Sequence, residues 1–437
     1  MFVPFFYLIS LFILGSSLND LYANSFHYTS YKIIGSIPEI LPDGNRSSML
    51  LWGRHSPKYV RSDRYHFAVL QTHPAHPRDI SLFRFDEKNP SAGWQRVWEK
   101  KSSNAHQPPS LILDKQQRLH IVYPRDSSFQ GSGSVEHLIF ENIEKSTLSN
   151  PKQVDTLVWG VDNYYFGVTY EPNNDGLYLC TTNWGYSKSS LTDILRCGLF
   201  ANDKMINDKW YNPKAVRHYA DGKFIYPTLL AQGHRLSVAT GHHPNGYVCS
   251  SSKCPTAARN AIYVFNYTHY GEKILNGFTL GRRIGSPEGG YYPHIQDISQ
   301  PTHTENNVYY VLTQKADINN MDPVWLEKFK DYKHSWSRPV NKVKGNAHNL
   351  FISNEGNIHV VGNGIHAYSE DDGQTWTTNN IELSGVPQSE YDYNGAHTLK
   401  LQFMAGSLPP NTLYFLQEVV HRSSGKKSVY SVIVQIP

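Results

Sequence analysis

Short apolar runs alternate with polar turns along almost the whole chain, and helix-period patterns are nearly absent. Three of these runs follow an Ala-His pair, in "AHQPPSLILDKQQRLHIVY", "AHNLFISNEGNIHVVG" and "AHTLKLQF", at His106, His348 and His397. The grammar is constant: a His or Tyr, five to eight strand-forming residues, a polar turn, then a second strand-like run. The spacing predicts turns at Asp114–Gln117 and Asn354–Asn357. Looser copies begin at His55, Tyr165, Tyr226 and Tyr292, so the seven starts lie 51, 59, 61, 66, 56 and 49 residues apart. A repeat of that length built of strands alone predicts an all-β fold, a seven-bladed β-propeller of four-stranded antiparallel blades. The first strand of each blade would line the central channel. Only about 40 residues follow His397, so strands from residues 28–50 are expected to complete the last blade and close the ring, which removes open sheet edges. Trp94, Trp98, Trp210, Trp336 and Trp376 fall near outer strands. The stretch "SEDDGQTW" at 369–376 fits the Asp-box pattern S-x-D-x-G-x-T-W, a hairpin-turn motif of propellers. With no linker or low-complexity stretch, residues 24–437 read as one domain.

Composition agrees with strands and narrows the partners. Only 18% of the 437 residues are charged and 13% are aromatic, and the net charge is +4. No run of Lys or Arg is present, so no nucleic-acid partner is expected. The apolar stretch Phe2–Leu14 is too short to span a bilayer, and small residues follow at Gly15–Ser17 and Ala23. Residues 1–23 read as a secretory signal peptide, although the first basic residue is Lys32. A buried strand or an uncleaved anchor is the alternative. Export to the periplasm or medium, no membrane partner and a monomer are the expectations. Four cysteines in an exported chain suggest two disulfides. Cys180 and Cys197 lie on neighbouring strand-like runs, and Cys249 and Cys254 close a short loop. His243 with Cys249 and Cys254, beside His242, also offers a loose structural zinc site; a structural calcium is the other metal considered, with no ligands assigned. No cofactor is required for the chemistry considered below. The sequons at Asn45 and Asn266 matter only in a eukaryotic secretory route.

If every inner strand starts at one height, the leading residues form a ring: His55, His106, Tyr165, Tyr226, Tyr292, His348 and His397. Residues ending the second strands join that face, among them Arg125, Asp126, Asn183, Trp184, His242, His243, Lys315 and Asn363. Any one of these polar groups also serves, more plainly, to satisfy backbone groups where blades converge. Taken together the face is rich in His and Tyr and poor in carboxylates. A usual glycosidase needs two opposed carboxyl groups, and the nearest, Asp126 and Asp162, have no evident mate. Tyr, His and a cationic group suit removal of a proton beside a carboxylate, as at C5 of a uronic acid in a polysaccharide. His and Tyr act as base and acid when the site tunes them.

On the blade repeat, on "HQPPSLILDKQQRLHIVY" and on the "YP" at Tyr226, the chain resembles the seven-bladed propeller polysaccharide lyases that cleave ulvan (families 24 and 25) and their relatives acting on rhamnosyl-glucuronate linkages. The resemblance implies a lyase acting by β-elimination on an anionic, ulvan-like polysaccharide. It gives His106 as one catalytic residue and Tyr165 or Tyr226 as another. The family's Arg, one hairpin after the Tyr, has no match here; His242, His243 or Arg125 would face the uronate instead. His120 stands at the wrong strand position to replace the family's second His. Gln107, Tyr292, His348, Asn349 and His397 would contact the sugar. Two other readings stand beside this one. A sialidase-like exo-glycosidase shares Asp-boxes, but "GSIPEILPDGNR" lacks the Arg before Ile-Pro. A carbohydrate-binding propeller without catalysis needs only the aromatic face.

Overall fold

The computed structural model describes residues 30–37, 57–72, 79–101, 108–125, 134–158, 163–171, 173, 175–183, 195–211, 222–232, 235–244, 261–268, 273–282, 294–301, 307–314, 323–344, 348–393, 398–400 and 412–436. The described strands form seven antiparallel sheets. Blade one runs Tyr59–Arg61, Tyr65–Gln71, Ile80–Asp86 and Gln95–Lys100. Blade two runs Ser110–Leu113, Leu119–Arg125, Ser134–Phe140 and Lys152–Val158. Blade three comprises Asn163–Glu171, Gly176–Asn183, Leu195–Ala201 and Lys204–Tyr211, and blade four Gly222–Gln232, Arg235–Pro244, Ala261–Thr268 and Lys273–Arg282. Blade five is built of His294–Ser299, Val308–Gln314, Pro323–Lys330 and Lys333–Lys344, and blade six of His348–Ile352, Ile358–Gly362, Ile365–Ser369 and Thr377–Asn380. The one helical element among the described residues is a short turn, Pro90–Ala92. None of the described helices is long and apolar enough to cross a membrane.

Blade seven closes the ring as the repeat count requires. Its inner strand Thr398–Lys400 pairs with Thr412–His421, which pairs with Lys427–Gln435. The outermost place is taken by the N-terminal strand Ser30–Ile37, from Ser30 opposite Gln435 to Ile37 opposite Val429. A further short strand, Tyr391–Asp392, pairs with the far end of Thr412–His421.

Alternation along each strand sends successive side chains to opposite faces, and each face meets the neighbouring blade. The result is a separate apolar core in every gap. Val60 and Phe67 of blade one pack with Leu111 and Ile121 of blade two. The cores continue between blades two and three, three and four, four and five, and five and six. Phe351 and Val361 of blade six then meet Phe415 and Val432 of blade seven. Ile37 and Leu416 of blade seven meet Tyr59 and Phe83 of blade one, so the circuit is complete.

The predicted turns at 114–117 and 354–357 are present. The inner strands do not all begin at the predicted residue. Those of blades one and two start four residues late, at Tyr59 and Ser110. Pro57, Pro108 and Pro109 stand just before them, and proline has no N–H to give a ladder. In blade four the strand starts four residues early, at Gly222, and the register slips between Ile225 and Thr228, where Tyr226 and Pro227 sit.

The Asp-box stretch joins the third and fourth strands of blade six. Asp371 Oδ1 accepts from the backbone N of Gln374 and Thr375 and from Ser369 Oγ, at 3.0, 2.8 and 2.8 Å. Thr375 Oγ1 donates to Oδ2 at 2.6 Å, and Gly373 takes the left-handed φ of 77° that the turn demands. Cys180 and Cys197 face each other on the second and third strands of blade three and are disulfide-bonded, with Cα atoms 4.1 Å apart. Asn266, at the other sequon, is buried. Its Oδ1 accepts from Ser237 Oγ and Tyr309 Oη at 2.7 and 2.8 Å, so the folded chain cannot present it for glycosylation.

Candidate functional site

The inner strands begin at one end of the ring, and in each antiparallel hairpin the second strand ends there. The backbone therefore gathers several of the expected residues at that end. In blade three, Tyr165 lies opposite Thr182 and Asn163 opposite Asn183. In blade four, His242 and His243 lie opposite Phe224 and Lys223, farther toward the strand start than Tyr226. Arg125 ends the second strand of blade two. The side chains of Arg125, Tyr165, Tyr226, His242 and His243 lie outside the described residues. So, entirely, do His55, His106, Gln107, Tyr292, His397, Cys249 and Cys254, with Asp126 and Asp162.

One contact fixes the level of the two tyrosines. A Cβ on Gly167 would stand 2.0 Å from the carbonyl oxygen of Pro227. The inner strands of blades three and four thus touch backbone to backbone, two residues past Tyr165 and one past Tyr226. Only glycine permits that approach.

His348 and Asn349 open the inner strand of blade six and are both buried. The His348 backbone N donates to Gln296 Oε1 at 2.8 Å, and Nδ1 lies 3.2 Å from the same oxygen. Leu350 N donates to Asp297 Oδ2 at 2.8 Å. Gln296 and Asp297 belong to the inner strand of blade five, so they satisfy N–H groups that an inner edge would otherwise leave unpaired. Asp297 also accepts from the backbone N of Ile298, at 2.8 Å, which makes its role architectural. Between blades one and two the same duty falls to a main-chain bond, Leu111 N to Pro57 O at 2.7 Å.

Lys58 is the described residue that sequence reasoning missed. It is fully buried, immediately before the inner strand of blade one, and burial lowers its ammonium to about 7. The bond from Leu111 to Pro57 sets it beside the start of the inner strand of blade two, downstream of His106. Lys58 is thus a buried group whose charged form is disfavoured where it sits. Its sequence signal is slight: one Lys inside the strand-like "KYVR".

A second set of histidines lies at the opposite end. His66, His120 and His359 are each the second residue of a second strand, in blades one, two and six. All three are buried. His66 Nδ1 pairs with Tyr59 Oη at 2.7 Å and Nε2 with Glu87 at 2.5 Å, while Arg61 holds Glu87 from the other side at 2.6 Å. His120 Nδ1 lies 2.8 Å from His137 Nε2, and its Nε2 lies 3.1 Å from Asp114 Oδ2. His359 Nδ1 lies 3.1 Å from His366 Nε2, and Tyr31 Oη reaches His366 Nδ1 at 3.2 Å. His120 thus lies opposite Ile112, toward the far end of the hairpin from the start of the inner strand. Among the described residues no three His, Cys, Asp or Glu side chains gather as a metal site.

The arrangement defines a seven-bladed β-propeller with His and Tyr positions collected at one end. Solved structures share that fold. An ulvan lyase described as a new polysaccharide lyase family, PL25, superimposes with a TM-score of 0.58 at 11% identity, over 92% of this chain and 96% of that one. The same kind of enzyme bound to -[GlcA(1-4)Rha3S]- gives 0.56 at 10% identity, over 93% and 96%. The polysaccharide lyase Uly1 gives 0.52 at 11% identity, over 88% and 90%. No protein-family model matches the sequence, and no curated sequence matches it.

Proposed function

We propose that the protein is an exported, monomeric polysaccharide lyase that cleaves a uronic-acid-containing, ulvan-like polysaccharide by β-elimination. The observation behind the reading is the backbone contact of blades three and four at Gly167 and Pro227, which brings together the inner strands whose backbones include Tyr165 and Tyr226. The likeness in fold to ulvan lyases over nearly the whole chain supports it. The disulfide of blade three agrees with an oxidising compartment.

In this mechanism a cationic group, His242, His243 or Arg125, neutralises the uronate and so acidifies the proton at C5. His106 and one of Tyr165 or Tyr226 share the two proton transfers. The base takes the C5 proton, its electron pair forms the C4–C5 double bond, and the C4–O bond breaks as the acid protonates the leaving oxygen. Gln107, Tyr292 and His397 form the surrounding wall, and the buried His348 and Asn349 open the inner strand of blade six. Cys249 and Cys254 form a second disulfide, with zinc held by His243 and both cysteines as the alternative that metal analysis of the purified protein decides.

Incubation with ulvan tests the reading. The intact chain should generate ultraviolet absorbance from the unsaturated product. His106→Ala, and either Tyr165→Phe or Tyr226→Phe, should lower that rate by about 100-fold or more with the fold intact. New reducing ends without the absorbance would mean a hydrolase, and affinity with no product a binding module.

A further inference from the structure

The outermost strand of blade five, Lys333–Lys344, differs in charge from the other blades' outermost strands. It carries Lys333, Arg338, Lys342 and Lys344 with no acidic residue, and at 12 residues it is the longest described strand. The outermost strands of the other six blades each hold between zero and two net positive charges. Lysines on an edge strand discourage sheet-to-sheet pairing, but the other edges manage with fewer. Lys330 adds a further charge at the hairpin, opposite Lys333. Of the two acidic residues in this hairpin, Glu327 is buried against His334 and Ser337, which leaves Asp331 as the exposed carboxylate.

Two of the cations are already engaged. Lys328 Nζ lies 2.6 Å from Asp372 Oδ2, and Arg338 Nη1 donates to the Asp372 carbonyl at 2.6 Å while its guanidinium lies 4.3 Å from the centre of the Trp336 ring. Lys330, Lys333, Lys342 and Lys344 are exposed. Lys333 lies opposite Lys330 and Lys344 opposite Pro323, with two register slips between, so at about 3.3 Å per residue of the partner strand the ammonium groups, two at each end, extend over roughly 23 Å. A linear polymer with regularly spaced anions matches such a row better than a compact ligand does.

We propose that this edge is a second, non-catalytic docking surface for an anionic polysaccharide, holding the polymer on the outer wall of the ring while the inner-strand end acts on it. The choice of glycan rests on the function proposed above; the surface itself rests on charge. The test is native electrophoresis through gels containing ulvan, with dextran as the uncharged comparison, at low ionic strength. The variant K330E/K333E/K342E/K344E should lose ulvan retardation, with apparent affinity falling at least tenfold. A control of equal charge change elsewhere, K88E/K101E/K145E/K204E, should lose less than threefold. Equal losses in both would reduce the effect to net charge and overturn the proposal, as would full retention by the first variant. Equal or tighter binding of a DNA duplex by the intact chain would overturn the glycan assignment. Retardation is a binding measurement, so it still decides the surface if no lyase activity is found. If activity is found, the first variant should keep its rate on short ulvan oligosaccharides and lose it on the polymer.

Discussion

At the scale of single residues, burial decides what side chains do. Gly167 leaves no room for a methyl group, since the atom it would meet is a backbone carbonyl oxygen at 2.0 Å. Gly167→Ala should cost about 1–3 kcal/mol, read as a lower thermal midpoint, and should reduce the proposed lyase activity by parting the strands that carry Tyr165 and Tyr226. The buried histidines set a pH dependence. Burial lowers His359 to about 4, lowers His137 and His366 well below the ordinary histidine range, and lowers His66 against the opposing pull of Glu87. In the unfolded chain such groups titrate near ~6.5. Their folded forms bind protons less readily, so the stability they confer is fully present above that value and is lost as pH falls toward 4. His359 alone accounts for about 3 kcal/mol over this window. His359→Asn should therefore show a smaller fall in thermal midpoint between pH 7.5 and 4.5 than the parent chain, as calorimetry would measure. Carboxylates such as Glu87 and Asp371, each lowered to about 2 by their hydrogen bonds against burial, act at lower pH.

Strands and turns were the most legible level of the sequence. Polar turn signals separated by period-two runs located both hairpin turns, the Asp-box loop and the Cys180–Cys197 pairing. Strand starts were less legible. Pro57, Pro108 and Pro109 delay two of them, and the slip at Tyr226 and Pro227 shifts a third, because ladder geometry depends on N–H groups that a hydrophobic pattern does not count. The candidate site was read as a repeated position, most of whose side chains lie outside the described residues. Contacts between blades were not legible: the Gln296 bond to His348 crosses between blades, and Lys58 becomes notable only when three-dimensional packing buries it. Ser30–Ile37 is the element with the largest single consequence. Ile37 lies in the core between blades seven and one, and Trp94 of blade one donates to Ser431 beside Gly35. Removal of residues 24–37 should expose the edge of Lys427–Gln435 and lower the thermal midpoint by 10 °C or more, on the order expected when several kcal/mol of interface is lost. Light scattering should show association through the bared edge. A monomer of unchanged midpoint would contradict the ring closure described above.

The whole molecule differs in character between its ends and its rim. The end where the inner strands begin holds the backbone positions of Tyr165, His242 and His243, and the opposite end holds buried histidine pairs that carry stability. The rim of blade five carries the positive charge. Seven near-equivalent gaps, each with its own core, allow one end to vary while the architecture stays constant. The seam has a temporal meaning as well. Ser30–Ile37 pairs with Lys427–Gln435, so the earlier strand must wait for a partner encoded about 390 residues later. At about 5–20 residues per second, that interval is roughly 20–80 s of synthesis. Throughout it the ring stays unsealed, and the early strand is without its partner until residues 427–435 emerge.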